Sequence, residues 1–341
     1  MIHLDGSMLS GGGQIIRAAL ALSAHTNKPF RIINIRHARP RPGLMAQHLE
    51  AVRTMQILCN ADVEGGHLGS TELTFIPRGY TPQNLSVHIG TAGSITLLTQ
   101  ALSLCAMHHK KVSFTVHGGT DVKWSPSFDY FAHIIIPSLQ QFGHASVDLR
   151  RRGFYPKGGG EVTVSFGLKK DVRSLMRLHP GVVEGIEVFN TASRELMADN
   201  TLEALDRDCR LFFEPFDVPV TVRNAYVQSL SPGFVCVAVV RQHDGASYAC
   251  IGADMVADPD TPTHVVARTV SETLKERLES GGVVDEHLAD HLIPFMGLYG
   301  GEMVVCRVSN HIKACIAVTE LFTKARFSVT GLHVRVSIPS V

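Results

Sequence analysis

The feature that most constrains this chain is a repeated order of elements, opened in the first two repeats by glycines. In the first unit Gly11-Gly12-Gly13 precedes an apolar helix over residues 14–24, followed by a strand over 30–35. A loop rich in Arg and Pro leads into a helix over 43–57, and strands over 61–64 and 73–77 close the unit. The second unit repeats that order. Gly90-Thr91-Ala92-Gly93-Ser94 opens a helix to residue 104, a strand covers 111–116, and Gly118-Gly119-Thr120-Asp121 begins a loop. A helix over 128–142 and strands over 145–150 and 161–166 complete it. The third unit comes late, with helices over 286–298 and 312–321 and strands over 302–308, 325–329 and 333–338. Helical apolar spacing, period-two alternation and Gly/Pro punctuation carry these assignments.

The stretch from about Pro180 to Pro262 breaks the pattern. It reads as strands over 183–189, 218–222, 235–240 and 247–251 with a helix over 202–213, and a helix over 263–278 leads back into the third unit. The expected fold class is α+β. Three helix–strand–helix–strand–strand units form a large domain, residues 1–180 and 263–341, and residues 181–262 form a small inserted α/β domain. The size supports this, since 341 residues is long for one core.

Composition then narrows the function. With 45% hydrophobic and 18% charged residues, the chain can bury a sizeable core, which excludes wholesale disorder. Apolar runs such as 131–139 fall short of the roughly 18 residues needed to cross a bilayer. Met1-Ile2-His3-Leu4-Asp5-Gly6 lacks the basic and apolar regions of a secretory signal. The expectation is a cytoplasmic protein, or a nuclear one in a eukaryote, with no membrane partner. Lys plus Arg is 32 against 31 Asp plus Glu, so nucleic acid would have to bind through a local basic patch. The seven cysteines are scattered and form no CxxC, which argues for reduced core thiols.

No P-loop is present. Three clusters carry the chemistry instead. Arg36-His37-Ala38-Arg39-Pro40-Arg41-Pro42-Gly43, with Gln47-His48 just beyond, sets arginines before a helix N-terminus. Guanidinium forks and unpaired N–H groups both favour phosphate there, although a solvated basic loop has the same composition. Arg150 to Gly160 ends in a triple glycine, which suits either a tight turn or close backbone approach to a ligand. His287-Leu288-Ala289-Asp290-His291 places two histidines one helical turn apart, loosely like a zinc motif but without an evident third ligand. Ser309-Asn310-His311 sits where a strand gives way to a helix, a junction that can present an imidazole to a cleft as a nucleophile.

Taken together these pieces resemble the RNA 3′-terminal phosphate cyclase family. The most specific match is Arg152-Gly153-Phe154-Tyr155-Pro156-Lys157-Gly158-Gly159-Gly160-Glu161-Val162, which is similar to the family signature of basic-Gly-x-x-Pro-x-Gly-Gly-Gly. Supporting it are Leu4-Asp5-Gly6, Gly11-Gly12-Gly13-Gln14-Ile15-Ile16-Arg17, Arg41-Pro42-Gly43-Leu44, Gln47-His48-Leu49, Gly118-Gly119-Thr120-Asp121 and Ser309-Asn310-His311. The resemblance spans nearly the whole chain in order, and it implies an insertion of thioredoxin-like topology.

It also implies a reaction. His311 would attack the α-phosphate of ATP, the nucleotidyl group would pass to an RNA 3′-phosphate end, and the neighbouring 2′-hydroxyl would displace AMP to close a 2′,3′-cyclic phosphate. By resemblance Arg17, Arg36, Arg39, Gln47 and His48 bind phosphates of the nucleotide or the RNA. Gln100 and Asp290 contact the nucleotide or orient His311, and Pro126 and His287 flank the adenine, His287 at a position where the family often has Tyr. ATP and a divalent cation, magnesium or manganese, are the implied cofactors. One residue departs from the pattern: Ser10 stands where the family usually carries an acidic metal ligand, and a neutral hydroxyl is a weaker magnesium ligand than carboxylate. The alternative is a weak or inactive cyclase-like protein of RNA processing or ribosome assembly, which would be expected to lack the nucleophile and much of the arginine set. A third group, the enolpyruvyl transferases, shares the repeated architecture but not the signature.

Overall fold

The computed structural model describes residues 1–9, 11–243 and 250–339. Each of the three units is built on a four-stranded sheet of one topology. In the first, Ile2–Asp5 lies parallel to Phe30–Ile33, which pairs antiparallel with Leu73–Ile76, and Asp62–Glu64 takes the far edge. In the second the same order runs Leu85–His88, Val112–Gly118, Gly160–Leu168 and Gly143–Arg151. The third runs Leu175–Arg177, Gly301–Val304, His333–Ser337 and Arg326–Thr330.

Each unit therefore begins with a strand that the sequence pattern does not reveal. These opening strands span three or four residues, too few for a period of two to show. Their parallel pairing requires a crossover, and a helix supplies it. Gln14–Thr26, Ile95–Ala106 and Glu286–Tyr299 are those first helices. The second helices are Ala46–Cys59 and Asn310–Phe322. In the second unit the stretch from Phe128 to Leu139 takes that place, widened to a π turn over Phe131–Ile135. Pro137, which has no N–H to donate, sits just past the widened turn.

The large core gathers around Gln14–Thr26, buried along ten of its thirteen residues. Ala18, Ala19, Ala21 and Ala24 keep its surface low, and it packs against Ile95–Ala106 and Asn310–Phe322. The seven cysteines are all buried, as core thiols should be. No helix among the described residues is long and apolar enough to cross a membrane.

The inserted stretch enters the third unit between its first strand, Leu175–Arg177, and its first helix. It carries a fourth sheet ordered Val220–Val227, Val182–Ser193, Phe234–His243, Gly252–Ala257, with the first pair parallel. The strand expected over 247–251 falls mostly outside the described residues, and the edge strand begins instead at Gly252. Helix Thr201–Phe213 buries Leu202, Leu205, Cys209 and Phe213, a stripe at helical spacing. These join Ile186, Val188 and Phe234 in a second core. Helix Thr263–Glu279 buries Val266, Ala267, Val270 and Leu274 in that same core.

Asp285 ties the insertion to the large domain. It is fully buried and caps Glu286–Tyr299, its carboxylate accepting from the His287 and Leu288 N–H groups at 3.0 and 2.9 Å. The same carboxylate accepts from Tyr130 Oη at 2.5 Å and from the Gly252 N–H at 3.0 Å. Beside it, Arg277 pairs with Glu286 at 2.9 Å and donates to the Gly252 carbonyl.

Candidate active site

The first helices of the three units converge, and each contributes polar side chains to one cavity. Arg17 comes from the first, Gln100 from the second and Asp290 from the third, and all three line one cavity with Cys315 and His291. Arg17 Nε donates to Gln100 Oε1 at 3.1 Å. Burial pulls the Arg17 guanidinium down from its usual range, and the Asp290 carboxylate opposes that shift. A cation and an anion thus support each other in a place poor in water.

His311 enters from the second helix of the third unit. Ser309 caps that helix, its hydroxyl accepting from the Ile312 N–H at 3.2 Å, so His311 lies in the first turn. Its Nδ1 is 3.5 Å from Asp290 Oδ2, and its ring is 44% exposed against 11% for the Asp290 side chain. The ring is therefore open on one side and faced by a carboxylate on the other. Gln14 Nε2 donates to the His311 carbonyl at 2.7 Å, which fixes the backbone beneath the imidazole. The sequence reading gave Gln14 no role. The available signal was a polar residue in the run Gln14-Ile15-Ile16, at the buried start of an apolar helix.

His48 joins the site from the side. Its Nδ1 accepts from the Met45 N–H at 3.2 Å, so the proton sits on Nε2, next to Gly13. Burial first, then the charges of Arg17 and Arg36, push its pKa down to about 3. At neutral pH His48 can meet phosphate as an uncharged N–H donor only. Helix Gln14–Thr26 starts at Gly13 with no side-chain cap, so its first N–H groups and dipole favour an anion there. A Cβ added at Gly13 would come within 2.1 Å of His48 Nε2. Gly13→Ala should therefore cost about 1–3 kcal/mol in urea unfolding, the usual penalty of overpacking. His48→Ala in the same chain should recover most of that loss; if it recovers none, the clash is not with this ring.

The other expected residues are placed as follows. Gln47 Oε1 accepts from the Ser94 N–H at 2.8 Å, joining the second helix of unit one to the first of unit two. Arg36 takes a left-handed backbone, φ +54°, and its Nη1 donates to the carbonyls of Arg41 and Gly43 at 2.7 and 2.9 Å. It clasps its own loop, and burial and the Arg39 charge lower its pKa. Arg39 is exposed on that loop. The Pro126 carbonyl accepts from Thr96 Oγ1 at 2.8 Å, one turn before Gln100. His287 is exposed and meets Tyr130 edge-on, with centroids 6.5 Å apart. Asp254 accepts from the Ser127 N–H at 2.8 Å, and burial raises its carboxyl while those Ser127 bonds oppose the rise. Among the described residues His287 and His291 belong to no group of three or more metal-ligating side chains. His291 is buried with Nε2 3.8 Å from Asp290 Oδ1, and burial pushes its pKa down to about 4. Ser10 lies outside the described residues.

Comparison with known proteins decides the family. A profile of the RNA 3′-terminal phosphate cyclases matches residues 8–329. The chain belongs to that family. The RNA 3′-terminal phosphate cyclase of Pyrococcus abyssi is 39% identical over 335 residues, covering 97% of this chain and 96% of the relative. The enzyme of the same name from Thermococcus gammatolerans is 39% identical over 333 residues, with 97% and 94% covered. That of Methanopyrus kandleri is 37% identical over 341 residues, with 97% and 96% covered.

The cyclase signature, most specific in sequence, is a structural knot here. Arg152 is buried and forks to two carboxylates: Asp121 at 3.1 and 3.0 Å, and Asp129 at 2.7 Å twice. Its guanidinium also lies 4.9 Å from the Phe128 ring centroid. The glycines that follow allow chains to touch. A Cβ at Gly153 would stand 2.3 Å from Gly160 N, and one at Gly158, where φ is +67°, 2.9 Å from Ala92 Cα. The loop also docks on the insertion, through Lys157 N–H to Ser231 Oγ at 3.1 Å. The glycines serve the tight turn and, at Gly158, a close approach to the backbone at Ala92.

Proposed function

We propose that this chain is an ATP-dependent RNA 3′-phosphate cyclase acting through a covalent histidine–AMP. The observation that carries the reading is the convergence of His311, Asp290, Arg17 and Gln100 at a helix N-terminus. His311 Nδ1 faces Asp290, which suits a tautomer with the proton on Nδ1 and a lone pair on Nε2. Nε2 attacks the α-phosphorus of ATP, forming an N–P bond as pyrophosphate leaves. An oxygen of the RNA 3′-phosphate then attacks the same phosphorus and the imidazole departs. In the last step the 2′-hydroxyl attacks the 3′-phosphorus, loses its proton, and expels AMP. Each step gathers negative charge, and Arg17, Arg39 and the N–H groups of helices Gln14–Thr26 and Asn310–Phe322 would stabilise it. Pro126 and His287 would sandwich the adenine.

Incubation with ATP labelled at the α-phosphate tests this directly. An acid-labile, alkali-stable adduct on the protein is expected, and its absence from a folded preparation would sink the proposal.

The described residues offer no ready site for a resident cation. Among the described residues no three of His, Cys, Asp and Glu gather as a metal site, and Ser10 offers one neutral oxygen. The reading assigns magnesium to ATP's own phosphates, arriving with the substrate. Ser10→Glu should then lower the magnesium concentration for half-maximal adenylation and raise its rate. If both stay unchanged, position 10 is remote from the triphosphate.

A further inference from the structure

Trp124 is the chain's sole tryptophan, and it stands 97% exposed. Tryptophan side chains are highly buried on average, so this ring is out of place in water. Its backbone adopts φ +63°, an outlying conformation for a bulky residue. Local strain of this kind persists only where the surroundings enforce it, and it clusters at functional positions. The enforcement is visible on both sides. Lys123 pairs with Asp258, Ser125 Oγ donates to the Val122 carbonyl at 2.8 Å, and the Pro126 carbonyl is held by Thr96.

Those bonds place the ring two residues from the carbonyl fixed to helix Ile95–Ala106, the helix that presents Gln100 to Arg17. The neighbouring loop, joined through a bridge between Asp121 and Phe154, carries Tyr155 at 70% exposure. Arg150, Arg151 and Lys157 surround Tyr155 in sequence. Exposed aromatic rings with basic residues next to them in sequence, Lys123 beside Trp124 and Arg150, Arg151 and Lys157 around Tyr155, match the way single-stranded nucleic acid is held.

We infer that Trp124 is a stacking platform for a base near the 3′ end of single-stranded RNA. This rests on the cyclase reading and assigns that reaction's polymer substrate its first contact outside the phosphate-handling pocket. Stacking is tolerant of base identity, because every base has a π face, so the platform would favour unpaired ends over any one sequence.

A single tryptophan makes the test clean. The intact protein is titrated with a short single-stranded ribo-oligonucleotide ending in a 3′-phosphate, with ATP alone, and with inorganic phosphate, while tryptophan emission is read. Saturable quenching by the oligonucleotide, not matched by ATP or phosphate, is expected. Trp124→Ala should raise KM for the oligonucleotide by roughly tenfold, the usual scale of one lost base stack, and Trp124→Phe should restore most of it. The inference is overturned if the oligonucleotide fails to bind, if it binds with emission unchanged, or if ATP alone quenches equally. An equal rise in KM for ATP would also overturn it, by placing the ring with the nucleotide. Failure of the cyclase reading would show separately, as absence of the AMP adduct in unsubstituted protein.

Discussion

His311→Ala should abolish the AMP adduct and lower cyclisation by on the order of 10³-fold or more, the scale seen when a covalent nucleophile is removed. No neighbouring group can take over. Cys315, one turn further along the helix, is buried, and burial pushes its thiol well up, away from thiolate. His291 is buried against Asp290, and His48 already uses Nδ1 as an acceptor. The fold should be indifferent to the change. Gln14 bonds the His311 backbone carbonyl rather than its ring, and the ring is half in solvent, so unfolding should move by no more than about 0.5 kcal/mol. Measuring adduct formation and urea unfolding on the same preparation separates the two effects. A variant that still accumulates bound AMP would return His311 to a structural role.

Arg152→Met should destabilise the molecule by about 3–5 kcal/mol, the cost of removing one partner of a buried ion pair. It leaves the carboxylates of Asp121 and Asp129 facing a dry space without their shared cation. Lysine is no remedy, because a point charge cannot fork to two carboxylates as guanidinium does. The pH dependence has a definite sign. Burial already raises the Asp129 carboxyl, with Arg152 opposing and Asp121 adding to the rise; without Arg152 it rises further. A carboxyl whose folded pKa exceeds its unfolded one binds protons more tightly when folded, so the penalty is present at higher pH and relieved as pH falls through the folded value. The deficit of Arg152→Met against the unsubstituted protein should therefore be smaller at mildly acidic pH than at alkaline pH. A deficit independent of pH would mean that the two carboxylates are not what the arginine restrains.

Much of this was open to reading from the chain. The helices and their order follow from apolar spacing, and their starts at Ser94, Asp285 and Ser309 follow from capping chemistry that the structure realises. His311, Asp290, Arg17 and Gln100 stand out in the sequence by resemblance, and contacts between them are present in the fold. The short opening strands were not legible, because three or four residues carry no period and only a partner in space makes them strands. Helix Thr263–Glu279 was legible as a helix but not as a member of the second core, since an amphipathic face does not say which apolar surface it meets. Arg36 and Arg152 show the same limit for charge. In sequence both are arginines in basic runs; in space one clasps its own loop and the other is enclosed by two carboxylates. Whether an arginine awaits a phosphate or already has its partner depends on residues far along the chain, here Asp121 and Asp129.

The buried cap at Asp285 gives the inserted stretch a direct hold on helix Glu286–Tyr299. The carboxylate that holds the first turn of helix Glu286–Tyr299 takes one of its donors from Gly252, and Glu286 takes its guanidinium from Arg277, both of which arrive with the inserted stretch. Asp290 lies one turn further along that helix. A shortened chain joining Leu175–Arg177 directly to Glu286 would keep every side chain proposed for the phosphate chemistry and lose the Gly252 and Arg277 contacts to that first turn. The Gly252 donor from the inserted sheet and the carboxylate that faces His311 are thus held on one helix, about a turn apart.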